Sequence, residues 1–412
     1  MKLDEILTMV LRMILQSAHG YNYYRKMKKI DIFHKSIILI GKMNVKRNYK
    51  FRLSPKGGNA TRLQETLNTC RFIYNQLLEK RNDHYKKTKK TLTCFDCNKL
   101  IKDMELKTPV HSQVLQNVSA RLDLAYLGFF RRLKDKSGKA GFPRFKSYDR
   151  YDSFTFPQTG FKIEKKKLWM SKIGDVRINF HRPMEGKVKT LTIKREGTHW
   201  YAIFSCEVEV KIEKKKWKRA VGCDVGCIDF ITLSDGTTIP NPHFLKQSQE
   251  RLSKIQGKYS KLKLKPKDDK TKVKTKKELI KLHCRVKNQR KDFLHKLSKK
   301  LVSEYSHICV EDIRPSQMLN DNWRALNRSI LDSGWAAFRQ MLHSKAVEAG
   351  CEVVNVDPRY TTQICSGCGA IVKKELSERQ HKCPVCNLNI GRDLNAARNI
   401  LRVGMDSFVK AT

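Results

Sequence analysis

Ala220-Val221-Gly222-Cys223-Asp224-Val225-Gly226 reads as a buried strand with an acid at its end. Just downstream, Phe230-Ile231-Thr232-Leu233-Ser234-Asp235-Gly236 predicts a second strand that closes in an Asp-Gly turn. Farther along, Ser306-His307-Ile308-Cys309-Val310 has the same strand character and is followed at once by Glu311, and a helix over Leu394 to Leu401 has Asp393 at its start. An isolated acid at a strand end is usually no more than a polar terminus. Three acids at the ends of predicted core elements, in a βββα layout, can instead converge on divalent cations. Two Mg²⁺ ions about 4 Å apart, bridged by such carboxylates, would activate water and stabilise the leaving 3′ oxygen in phosphodiester hydrolysis.

The balance of charge suits a polyanionic substrate. The 412 residues carry 85 Lys and Arg against 40 Asp and Glu, a formal charge of +45, and neutralising phosphates with such cations releases counterions. Hydrophobic residues at 40% are enough to build real cores, so wholesale disorder is excluded. The length allows two or three domains. No uncharged apolar run reaches the roughly 18 residues of a membrane span, and the start lacks the basic flank of a secretory signal. The 13 cysteines are odd in number and partly grouped as CxxC pairs, which suits thiols or metal ligands in a reducing compartment better than a disulfide framework.

Two of those pairs form a unit: Cys365-Ser-Gly-Cys368, then 14 residues, then Cys383-Pro-Val-Cys386. Each knuckle turns tightly enough to aim two thiolates at one ion, and the spacing is that of a four-cysteine zinc ribbon, with redox cysteines or a degenerate site as the alternative. Four protein thiolates leave no open coordination position, so such a zinc would be structural. Cys94-Phe-Asp-Cys97 is expected to be a non-ligand pair in a helical linker, and His381, next to the ribbon cysteines, a surface histidine.

Outward from these elements the chain changes character several times. Residues 1–42 form a leader of uncertain order, and Met43 offers an alternative start. A strand over Tyr49 to Leu53 precedes a helix capped by Asn59, and helical periodicity resumes from Val114 to Arg132. After Gly141-Phe142-Pro143-Arg144-Phe145-Lys146, short alternating runs at Ser153–Phe156, Lys167–Met170, Val176–Phe180, Thr190–Lys194 and Trp200–Val210 predict an antiparallel, barrel-like unit. A basic linker, Lys214 to Arg219, leads to the decisive strand. Two long helices, roughly Pro242 to Leu264 and Lys274 to Glu304, follow it. Between Arg251 and Lys300 stand 20 Lys or Arg and only four acids, Asp268, Asp269, Glu278 and Asp292. A solvated hairpin with that excess repels itself unless phosphates are near.

In order, the motifs Phe72-Ile-Tyr74-Asn75, Val114-Leu-Gln116-Asn117, Phe129-Phe-Arg131, Gly141 to Lys146, Val221 to Gly226, Asp292 to Leu297, Val310-Glu311-Asp-Ile313, Asp332-Ser-Gly-Trp335, the four cysteines and Arg392-Asp393-Leu-Asn395-Ala-Ala-Arg-Asn399 resemble the TnpB (OrfB) proteins of insertion sequences, RNA-guided nucleases related to the miniature type V CRISPR effectors. The resemblance covers about residues 43–405. It implies a multidomain α+β protein: a β-barrel-like wedge domain in two parts (43–58 and 139–212) around a small helical recognition domain (59–138), then a RuvC, RNase H-like nuclease domain in two parts (213–360 and 389–412) with an inserted zinc ribbon (361–388).

The resemblance further implies that Asp224, Glu311 and Asp393 are the RuvC ligands for two catalytic Mg²⁺, and that Cys365, Cys368, Cys383 and Cys386 hold one Zn²⁺. Ser112, Gln113, Gln116 and Thr155 fall where the family reads a short target-adjacent motif. The implied partners are a guide RNA and double-stranded target DNA, with no membrane, a monomer favoured, and a prokaryotic cytoplasm as the place of action. The rivals are an RNase H-like transposase that joins strands, a regulator that binds nucleic acid without cutting, and a ribosomal or RNA-packaging protein, which would leave the three acids unexplained.

Overall fold

The computed structural model describes residues 41–104, 106, 109–135, 140–212, 219–266, 268–319, 323–375 and 377–409. The leader, save its last two residues, and most of the basic linker lie outside them. The chain forms two compact units, one over residues 44–209 and one from residue 210 onward.

In the first unit, strand β1 (Gly41–Ser54) leads into a 31-residue helix, α1 (Gly58–Thr88), followed by α2 (Cys94–Lys102) and α3 (Ser112–Lys134). Leu63, Leu67, Ile73 and Leu77 of α1 and Val114, Val118 and Leu122 of α3 are buried at helical spacing, so each helix puts one apolar stripe inward. Asn59 is not the expected cap. Gly57 takes that position with φ 54° and no side-chain cap, and Asn59 Nδ2 donates instead to the Asp175 carbonyl at 2.6 Å. Cys94 opens α2, which a Thr93–Asp96 capping box fixes, and Cys97 is buried.

Six further strands complete the sheet: β2 (Ser153–Phe156), β3 (Phe161–Glu164), β4 (Lys167–Met170), β5 (Gly174–Asn179), β6 (Lys187–Glu196) and β7 (His199–Ile212). Their order is β2-β6-β7-β1-β5-β4-β3. Strands β2 and β3 are thus opposite edges, yet only four residues separate them in sequence, and the rings of Phe156 and Phe161 lie 6.3 Å apart. Seven flat strands would place those edges roughly 29 Å apart. The sheet is therefore curled, which gives the barrel-like form expected from the alternating runs. Strand β3, exposed along most of its length, carries no clean alternation and is missing from the sequence reading.

The second unit is built on a five-stranded sheet ordered β10-β9-β8-β11-β12, from β8 (Ala220–Val225), β9 (Asp229–Leu233), β10 (Thr238–Pro240), β11 (His307–Glu311) and β12 (Glu352–Val356). The first three strands form an antiparallel meander, whereas β11 pairs in parallel with both β8 and β12. All five residues of β11 are buried, as a central parallel strand covered on both faces requires. One face packs on the second half of α5 (Lys270–Glu304) and on α7 (Trp335–Ala349), with α6 (Arg324–Ser333) alongside. Phe230, Leu294, Phe338 and Leu342 form the centre of that core.

The other face takes α8 (Arg392–Val409), where Cys309, Val356 and Ile400 meet. The first half of α5 pairs with α4 (Phe244–Lys261) in a helical hairpin held by a small cluster of Leu252, Ile255 and Leu282. That hairpin carries most of the basic excess counted above.

Helix α8 sits directly on β8. A Cβ at Gly222 would lie 2.0 Å from the Ala397 carbonyl oxygen and 2.6 Å from the Leu401 nitrogen, both backbone atoms. Gly222→Ala should therefore push α8 off the sheet and destabilise the protein by roughly 1–3 kcal/mol, the usual cost of overpacking. Denaturant unfolding measures it, and an unchanged midpoint would show that the contact yields freely.

Candidate metal centres

Parallel pairing brings the first two acids together. Val310 of β11 stands opposite Cys223 of β8, so the next residues along the two strands are Glu311 and Asp224. Neighbouring strands lie about 4.8 Å apart, and both acids occupy the carboxyl ends of the strands, where open sheets with parallel strands place their ligands. Asp393 arrives from the other chain segment. It is in the first turn of α8, four residues before Ala397, which rests on Gly222, so it shares that helix face one turn nearer the N-terminus.

Electrostatics records the convergence. Burial, reinforced by the nearby charges of Glu311 and Asp393, pushes the Asp224 carboxyl well above the ordinary carboxylate range, with Arg392 pulling the other way. Burial also raises Glu311, opposed by a hydrogen bond that Thr361 Oγ1 donates to Glu311 Oε1 at 2.6 Å. Glu311 is buried and Asp224 and Asp393 are half-buried, and like charges gathered there are costly unless a cation joins them, so the donor set fits a divalent metal.

Two residues that the sequence reading passed over hold this site in shape. Thr361 fixes the Glu311 carboxylate, and its own carbonyl accepts a 2.9 Å bond from Asn399 Nδ2 on α8. Arg339 of α7 donates to the carbonyls of Glu311 and Ile313, both at 3.3 Å, and pairs with Asp312 at 2.5 Å, which clamps the end of β11. Neither stands within a recognisable ligand pattern, and their partners come from distant segments, so no local signal marks them. Thr361→Val should leave the fold intact and weaken metal-dependent activity roughly 10–100-fold, the usual effect of removing a partner that orients a ligand. Titrating the metal requirement of the variant checks it.

The four ribbon cysteines form the second centre. Their sulfurs all lie within 4.8 Å of one another, with Cys365 and Cys386 at 3.6 Å and Cys368 and Cys383 at 3.5 Å. A tetrahedral zinc with bonds of about 2.3 Å has sulfur–sulfur edges near 3.8 Å, so the cage has the right size, while a disulfide would need about 2.05 Å. Backbone N–H groups of Cys386 and Val385 point at the Cys383 sulfur and hold its thiol well below the usual range, favouring a thiolate there. At Cys386 a backbone hydrogen bond from Leu388 pulls the same way, but the other three sulfurs outweigh it and raise the thiol, as expected where four sulfurs crowd one place. Among the described residues this is the one group of three or more potential ligands with that mutual proximity. Cys94 and Cys97 stay outside it, and burial raises both their thiols, Cys97 to about 11.

His381 is a correction. It lies on strand β13 (Gln380–Lys382), paired with β14 (Asn389–Gly391), and it is fully buried, with its Nδ1 against Lys374 Nζ. A charged neighbour and polar flanks disguised an inward-facing ring of the two-stranded hairpin. Asn395 of α8 joins the ribbon to the sheet by donating to the Ile364 carbonyl and accepting from the Ser366 N–H, each at 2.8 Å.

The four residues expected to read a DNA motif lie in the first unit. Ser112 and Gln116 are exposed in the first turns of α3. Gln113 Oε1 accepts from both the N–H and the hydroxyl of Thr159, at 3.0 and 3.1 Å. Thr155 Oγ1 accepts from Arg121 Nη2 at 2.7 Å and shares a 2.8 Å bond with Thr192. Its hydroxyl is engaged within the fold.

Residues 203–321 match the family model described as a probable transposase, OrfB of the IS605 type, and residues 335–400 match the Cas12f1-like TNB domain. InsQ of Escherichia coli (strain K12), named as a candidate RNA-guided DNA endonuclease, is 32% identical over 378 residues, covering 86% of this chain and 92% of that protein. The chain belongs to the TnpB (OrfB) family.

A TnpB relative from Streptomyces pristinaespiralis, also named as a candidate RNA-guided DNA endonuclease, is 30% identical over 377 residues, covering 88% of this chain and 90% of its own length. The fold is shared with a solved structure titled as a Cas12f1–sgRNA–target DNA complex, with a TM-score of 0.56 at 13% identity over 87% of this TnpB chain and 98% of that one. A further family model, described as a helix-turn-helix domain, matches residues 43–90 of TnpB. Here that segment is a strand followed by the single helix α1, so the description does not fit its geometry.

Proposed function

We propose that this TnpB protein is an RNA-guided DNA endonuclease of an insertion sequence, cutting double-stranded DNA beside a short motif. The observation that carries the reading is that Asp224 and Glu311 stand side by side near the ends of adjacent parallel strands, with Asp393 in the first turn of the helix across β8. Both other charges are felt at Asp224, in a chain 32% identical to InsQ. The sheet order and the helix across β8 support assigning residues 213–360 and 389–412 to a RuvC, RNase H-like domain, with 361–388 as its zinc ribbon. The curled sheet fits a wedge domain of 43–58 and 139–212, and α1 to α3 fit a recognition domain of 59–138.

In this reading Asp224, Glu311 and Asp393 hold two Mg²⁺, which when bound supply an activated water and stabilise the leaving oxygen. The protein's own part is to keep the carboxylates fixed through Thr361 and Arg339 and to keep Arg392 beside them. Cys365, Cys368, Cys383 and Cys386 hold a structural Zn²⁺. Guide RNA pairs with the target strand and so selects it, while the basic hairpin of α4 and α5 neutralises phosphates without reading bases. Ser112 and Gln116 face outward to read the adjacent motif, and Gln113 can do so after releasing Thr159. Thr155 would act through Arg121.

Among the described residues no helix is long and apolar enough to cross a membrane. A monomer working in the prokaryotic cytoplasm fits the reading. The same acids could serve a strand-joining transposase. Incubating purified protein with transposon-end DNA and Mg²⁺, with and without its RNA, separates the two, because strand-transfer products formed without RNA would favour the transposase.

A further inference from the structure

The first unit contains a cavity of about 530 Å³ beneath the segment Gly141–Lys146, a volume in the range that small ligands fill. The segment has no regular secondary structure, yet it is pinned at both ends. Asn75 on α1 binds both backbone groups of Lys146, at 2.8 and 3.0 Å, and Arg132 donates to the Gly141 carbonyl at 3.2 Å. Phe142 packs edge-on against Tyr126 and Phe129, at 5.6 and 5.0 Å between ring centres.

Held this way, the strap presents Arg144 and Phe145 at the cavity, and Phe145 is 56% exposed. A single exposed ring needs no explanation on most surfaces. Here four cations, Arg132, Arg144, Lys146 and Arg150, line the same cavity, and no acid stands among its lining residues. An exposed aromatic face on a pinned strap, beside four cations and with no acid in the lining, is complementary to a base that stacks and the phosphate attached to it.

We propose that this cavity binds one unpaired nucleotide of single-stranded RNA, its base against Phe145 and its phosphate toward Arg144 and Arg132. The assignment rests on the RNA-guided reading above, under which RNA is the polyanion that stays on the protein from one target to the next. A permanently covered ring is also the arrangement that keeps an exposed apolar face from becoming an association site.

The test uses the full chain and a 12-nucleotide single-stranded RNA carrying 4-thiouridine, with the same sequence as single-stranded DNA and as duplex RNA for comparison. Crosslinked protein is mapped by mass spectrometry, and affinity is measured across a salt series. The RNA is expected to crosslink within residues 142–146. Phe145→Ala should abolish that crosslink and weaken RNA binding about tenfold, within the range for loss of one stacked base, and Phe145→Trp should restore both. The salt slope should stay the same for Phe145→Ala and fall by about one for Arg144→Ala, a division that simple misfolding would not produce. Thermal unfolding of Phe145→Ala at the parental temperature confirms an intact fold.

Crosslinks that avoid residues 142–146, RNA affinity unchanged in Phe145→Ala, or a preference for DNA or duplex at this strap would each overturn the inference. If RNA still binds tightly elsewhere on the chain, the RNA-guided reading survives that failure. If no RNA binds at all, both fall.

Discussion

Asp224→Ala should lower DNA cleavage by roughly 10³-fold or more while RNA and DNA affinity stay within about twofold, because the proposed metal ligands and the proposed phosphate-binding cations are different residues. Asp224 is the acid that the charges of the other two both raise. It stands one residue from the end of the strand on which α8 rests. Glu311→Ala and Asp393→Ala should match it, and all three losses should not add, since each disables the same unit.

The raised carboxyls also fix a direction for pH. In metal-free protein the native state holds protons that the unfolded state has released, so stability falls as pH rises above the ordinary carboxylate range toward the raised values. Added Mg²⁺ should reverse that fall, and cleavage should climb with pH over the same window. A metal-free protein whose stability rises across this range would contradict the cluster. Full cutting by Glu311→Ala would remove the site altogether.

The ribbon carries the other large effect. Cys383→Ser should release about one zinc per chain and unravel the hairpin of β13 and β14, since this small module has little apolar core of its own. Zinc–thiolate ligation in such modules contributes on the order of 10 kcal/mol of folding free energy. The consequence should reach the three acids, because the ribbon is tied to α8 through Asn395 and to Glu311 through Thr361. Metal analysis of intact and variant protein, with limited proteolysis around residues 361–391, reads both effects. A variant that keeps its zinc, or intact protein with none, would defeat the assignment.

How much of this was legible beforehand follows from what each feature depends on. Strands β2, β4, β8 and β11 were readable because burial imposes a short-range pattern on them, alternating in the curled sheet and continuous in the doubly covered one. The three acids stand out for a related reason, since Asp224 and Glu311 each follow an apolar run and Asp393 stands at the start of the helix that covers one. The cysteines announced themselves by spacing alone. Strand β12, with three of its five residues only partly buried, and short β10 give weaker patterns, and the sequence reading passed over both.

Asn59 misled because a residue of cap type one position inside a helix can spend its amide on another element. His381 misled because polarity at a hairpin says nothing about which way the ring turns. Thr361 and Arg339 were out of reach in principle, as their importance lies in partners 50 and 28 residues away. The aromatic strap at Gly141–Lys146 was visible as a motif, and only the cavity beneath it gave that motif a possible use.

The central claim is that RNA, and not the protein, selects the target. The most direct measurement loads one preparation of the purified protein with two RNAs that differ only in the guide segment and maps cleavage of a randomised plasmid library by each. The account predicts that the two loadings cut at different sites, each complementary to its own guide, with one shared adjacent motif at both. Identical sites from both loadings, or equal cutting by RNA-free protein, would contradict it.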